Sequence, residues 1–200
     1  MEFTQKQNIQ AVAALLFLAV ITQAIYTGLY VGAKDVPRAW LWGFEGLLFV
    51  ALTAVAGAAL VQAKEYALGF SAIFASAIFN FLQVGIGLTQ FGPFREAAQS
   101  VEGIAPAASS VVALSFFVYN AAKILLGIAA VVFGAAISNT GSKMLGRLTA
   151  LAGFVAIATN SIVVMFGRIS AIPSGATGVV ATLLLAVCLY KLNSADVRND

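Results

Sequence analysis

The sequence predicts an all-α polytopic membrane protein, a bundle of six transmembrane helices with short loops. Three observations lead there. Hydrophobic residues make up 61% of the 200-residue chain and charged residues only 10%. A soluble domain carries about 25% charged residues, so this chain cannot dress a water-facing surface. Mean hydropathy is +0.96. The apolar residues also fall into six runs, each long enough to cross about 30 Å of hydrocarbon as a helix. The longest stretch between runs, 92–110, is about 19 residues, too short for a soluble domain, so residues 1–200 read as one transmembrane helical domain.

The first span is expected over 8–31, after a short polar start. It is too long for the apolar core of a typical signal peptide and lacks a small-x-small cleavage site, so it reads as retained. A loop with Lys34, Asp35 and Arg38 follows. The second span, 40–62, opens on Trp40 and Trp42, whose amphipathic rings suit the membrane interface, and it contains Glu45. The AKEY turn after it is short enough to make spans two and three an antiparallel hairpin.

In the third span, 67–91, Ser76, Asn80, Gln83, Gly87 and Gln90 recur at helical spacing and share a face. Pro93 reads as a helix start and Gly103 with Pro106 as a stop, so 93–103 is expected to be a short interfacial helix or else a plain loop. The fourth span, 111–138, carries one charge, Lys123, close to its middle; Asn120, Lys123, Gly127, Ala130 and Gly134 lie on one stripe. A turn with Lys143 and Arg147 leads to the fifth span, 148–167, striped by Gly153, Ala156 and Asn160. After another turn comes the sixth, 172–192, and a polar tail.

Lys123 organises the functional reading. An ammonium at bilayer depth costs roughly 2.5–3.5 kcal/mol on insertion scales, so it needs a partner or a wet cavity. Glu45 precedes Lys64 by 19 residues and Lys123 precedes Lys143 by 20. Both spans run in the same direction, so at ~1.5 Å rise per residue the two charges fall at one depth, in the outer half of the bilayer. A Glu45–Lys123 pair is therefore expected. Gln23, Tyr26 and Thr27, Asn80 and Gln83, Asn120, and Asn160 with Ser161 fall near the same level, whereas the inner halves of most spans are Ala, Val, Leu, Ile and Gly. This predicts a polar pocket open to the outside above a dry plug packed through small residues. Such amides also serve simply as hydrogen bonds between helices.

The chain has no His and a single Cys, Cys188. That removes His-ligated haem, most zinc sites, Ser-His and Cys-His pairs and an intrachain disulfide. No catalytic residue, metal ligand or cofactor is assigned. A retinal Schiff base on Lys123 is disfavoured because the last span has no interior Lys, and a Ser115–Lys123 dyad because the two lie two turns apart. Two functions fit: binding or transporting a small ligand or ion through a pocket built around Glu45 and Lys123, or serving as a non-catalytic accessory subunit of a larger membrane complex. An enzyme is the least favoured reading. The expected partners are the lipid bilayer with a small-molecule ligand, a second copy of the chain or a membrane-complex partner. The scattered net charge of +3 does not suggest nucleic acid.

With six spans, Lys6, Lys64, Lys143, Arg147, Lys191 and Arg198 lie on one side and Lys34, Arg38, Arg95 and Arg168 on the other. The positive-inside rule then places both termini in the cytoplasm of a multi-pass protein of the inner (plasma) membrane.

Overall fold

A computed structural model describes residues 3–32, 39–167 and 174–195. The loop charges Lys34, Asp35, Arg38 and Arg168 and the tail residue Arg198, which the charge comparison used, lie outside these residues. The helices are α1 Gln5–Val31, α2 Ala39–Gln62, α3 Ala67–Ser100, α4 Ala105–Thr140, α5 Lys143–Phe166 and α6 Ser174–Ala195, with a 3-10 turn Lys64–Tyr66 between α2 and α3. No strand occurs among the described residues. Hydrocarbon offers the backbone no hydrogen-bonding partner, so an apolar run satisfies its own N–H and C=O groups by closing them into a helix. All six helices are long and apolar enough to cross a membrane. The protein is an all-α, six-helix integral membrane protein.

The turns follow local chemistry. Ser142 caps α5, its Oγ accepting from the Leu145 N–H at 3.4 Å. Gly103 (φ +84°) makes the reversal between α3 and α4, a left-handed conformation that favours glycine.

The region around Pro93 differs from expectation. Residues 93–100 are not a separate interfacial helix; they prolong α3, and Pro93 sits inside it. A proline there leaves the carbonyl four residues back without its helical donor. That residue, Thr89, is exposed, so the loss falls at the surface of the bundle rather than in the packed core. Pro106 does not stop a helix either. It occupies the first turn of α4, where its missing N–H is harmless. α3 and α4 consequently run to 34 and 36 residues, roughly 51 and 54 Å at 1.5 Å per residue. The other four have 22 to 27.

Helices adjacent in the chain pack against one another, α6 returns against α1 to close the ring, and α6 also packs across it onto α4. The core in the N-terminal half of α1 and the helix ends level with it is apolar: Val12, Leu16, Leu52, Ala56, Phe70, Phe133, Leu185 and Leu189 are buried. Phe133 lies over Gly69, where an added Cβ would fall 2.5 Å from the ring. It also meets the rings of Tyr66 and Phe70 at 5.5 and 5.0 Å. At the rim of this end, Asn8 Nδ2 donates to Gln62 Oε1 (2.9 Å) and Gln62 Nε2 to the Phe3 carbonyl (3.1 Å), tying α1 to α2.

α4 and α5 pack through glycines. A Cβ on Gly127 would lie 2.9 Å from the Gly153 carbonyl, and one on Gly134 would lie 2.7 Å from the Gly146 carbonyl. Both helices repeat glycine every seven residues, and the antiparallel register matches Gly127 with Gly153 and Gly134 with Gly146. Backbones this close gain dispersion and weak Cα–H···O contacts, the substitute for hydrophobic driving force in lipid.

Candidate functional site

The polar residues gather at the far end of the bundle, opposite the start of α1, where α4 enters. Lys123 is 1% exposed and Glu45 7%. The Lys123 stem lies across Gly178 of α6, where an added Cβ would come within 2.9 Å of Cγ and Cδ. Its ammonium donates to Gln23 Oε1 of α1 at 3.0 Å and stands 5.0 Å from the centroid of the Tyr119 ring, one turn back on α4. One buried lysine thus engages three elements. α6 offers a notch, α1 an acceptor, and α4 itself an aromatic face.

Glu45 is held from α1 as well. Thr22 Oγ1 donates to Glu45 Oε1 at 2.6 Å, a short bond of the kind formed between a hydroxyl and a carboxylate. The expected direct Glu45–Lys123 ion pair does not form. Two consecutive residues of α1, Thr22 and Gln23, take one charge each. Thr22, 4% exposed, was not singled out by its sequence; only its place beside Gln23, within reach of the Glu45 level, could have marked it. Gly178 carries no local sign of its role.

The amides of the belt divide. Asn80 Nδ2 donates to the Ser76 carbonyl (2.9 Å) and Ser76 Oγ (3.1 Å), and Ser76 Oγ donates to the Ala122 carbonyl (2.9 Å), locking α3 to α4 beside Lys123. Gln83 Nε2 reaches Ser115 Oγ at 3.3 Å. That serine is therefore engaged from α3, not by Lys123. Asn120 Nδ2 donates back to the Phe116 carbonyl at 2.6 Å. Asn160 Nδ2 donates to the Ala156 carbonyl (2.7 Å) and, across to α6, to the Ser174 carbonyl (3.3 Å). Thr159 and Thr177 hydroxyls meet at 2.7 Å in the same α5–α6 contact. The Oδ1 atoms of Asn120 and Asn160 are buried with no partner, and each such atom costs about 1–3 kcal/mol.

Aromatic rings close the site from beyond. Trp42, one turn from Glu45, turns inward: it packs on Gly87, where an added Cβ would lie 3.2 Å away, and its ring lies 6.0 Å from Tyr26 and 5.7 Å from Phe91. Trp40 is 62% exposed. Two surface grooves, one between α3 and α4 beside Phe94 and Arg95, the other beside Phe117 and Val163, do not reach Glu45 or Lys123.

Chemically, the site is a closed set of opposite charges with unused capacity. An ammonium has three protons to donate and a carboxylate about four lone-pair sites; among the described residues each makes a single side-chain hydrogen bond. Among the described residues no three His, Cys, Asp or Glu side chains converge as metal ligands. Comparison with models of known protein families, with curated proteins and with solved structures finds no match to this chain.

Proposed function

We propose that this membrane protein binds, and carries across the bilayer, a small ligand or ion that engages Glu45 and Lys123, with Gln23, Tyr26, Asn80, Gln83, Asn120 and Asn160 as the surrounding polar wall. The observation that carries this reading is how the charges are held. Two ionised groups that served only to neutralise each other would be expected in contact, since neither tolerates hydrocarbon alone. Here each is held by a neutral side chain of α1, which a ligand's own groups can replace. Movement of α1 or of the Trp42 cap would open the site toward the outside, with both termini in the cytoplasm of an inner-membrane protein.

The test is thermal unfolding of the purified protein against a panel of inorganic ions, amino acids and small carboxylates. At least one is expected to raise the Tm of the wild type and to have no effect on Lys123→Met or Glu45→Gln. The second reading, an accessory subunit of a larger complex, draws on the burial of both charges and on two surface grooves that do not reach them. It predicts no response to the panel and a defined partner co-purifying in mild detergent, lost in the same variants.

A further inference from the structure

We propose that Asn120 and Asn160 together form an acceptor site holding a neutral O–H or N–H donor between α4 and α5. Each amide nitrogen faces a backbone carbonyl, Phe116 for Asn120 and Ala156 for Asn160. That orientation follows from chemistry, because a carbonyl accepts only from the N–H₂ end of the amide. The oxygens are thereby left over, both buried, in side chains 1% and 0% exposed. The glycine register brings them to one level. Gly134 faces Gly146 and Gly127 faces Gly153, and one further heptad sets Asn120 opposite Asn160.

Two carbonyl-type oxygens require a donor, and charge selects which kind. α4, α5 and α6 contain no Asp or Glu, and Lys123 lies one turn from Asn120 on the same helix. A metal cation would meet that ammonium, while the carboxylate of Glu45 is already held by Thr22 of α1. An anion would meet two acceptor oxygens. A neutral donor suffers neither. It is either a solvent water or the hydroxyl or amide end of the small ligand proposed above; only the latter rests on that reading.

Thermal unfolding of the full-length protein as wild type, Asn120→Leu, Asn160→Leu and the double variant tests the site. A shared occupant makes the losses non-additive: the double variant is expected to lose clearly less than the sum of the two single variants, because the occupant's bonds are lost once while the separate amide N–H bonds add. Losses that sum, or a Tm that rises when an oxygen is removed, overturn the proposal. If the leucine variants do not fold, a wild-type structure that resolves waters decides. Density within hydrogen-bond distance of both oxygens is expected, and an empty gap overturns the site. Millimolar acetamide or ethylene glycol separates the sources. A Tm rise in wild type that is lost in the double variant identifies a ligand's donor group; equal responses identify water. Repeating the cycle in Lys123→Met keeps the two proposals distinct, because the coupling between Asn120 and Asn160 persists there even if every ion and ligand of the panel fails.

Discussion

At the scale of single residues, Lys123 is among the largest fully buried side chains, and what constrains it is its neighbours. Gln23→Leu removes the acceptor of a buried ammonium and is expected to cost about 1–3 kcal/mol. Adding Lys123→Met should recover most of it, since Met keeps the stem and discards the charge. Denaturant unfolding of the two single variants and the double one measures the coupling. Gly178 is the second handle. Gly178→Leu drives a side chain into the Lys123 stem, which lies within 2.9 Å of an added Cβ. It should lower the Tm by several degrees and be partly rescued by Lys123→Ala. A Gly178→Leu variant as stable as wild type would show that α6 does not shape the lysine's path.

That Glu45 and Lys123 lie at one level of the bundle was legible in the sequence, because residue counting along a helix converts directly into ångströms. Their pairing was not. Helix α1 is apolar on every side from Ala11 to Ile21, so nothing in the pattern leading up to them says which way Thr22 and Gln23 point. Rotation about the axis is decided by packing on α2 and α6, which residue spacing does not encode.

At the scale of elements, α4 and α5 form the closest contact. The glycine stripe on α4 was visible as a pattern; its partner stripe was visible only from Gly153 onward, because Gly146 lies in what reads as a polar turn. The packing makes a sharp prediction. Gly134→Val or Gly153→Leu places side-chain atoms against backbone, not against a flexible chain end, and overpacking of this kind costs about 1–3 kcal/mol or more. Gly85→Ala on α3, with nothing within 4 Å of an added Cβ, should be silent. Unfolding in SDS–detergent mixtures compares them. Helix ends were the least legible feature. Proline 93 carries the same local signal whether it opens a helix or rides inside one, and the difference lies in whether the chain around it is wet.

At the scale of the whole molecule, the hydropathy pattern was sufficient for the six-helix fold, because lipid leaves an apolar chain few alternatives. The orientation of the bundle is open to a direct measurement. Thr140 and Ser100 are exposed at opposite ends, and the native Cys188 is only 1% exposed. A membrane-impermeant maleimide applied to intact cells is expected to label Ser100→Cys and to spare Thr140→Cys. The reverse result would put both termini outside.

The two long helices have a consequence of their own. A hydrocarbon layer about 30 Å thick accounts for little more than half of α3 or α4, and the charges Arg95, Glu96 and Glu102 around Gly103 mark that joined end as the one expected to emerge, because charged side chains are costly in hydrocarbon. The surface on that side is therefore not flat but carries a charged post. Any large body arriving from there touches the post first, while solutes small enough to pass beside it still reach the mouth of the bundle.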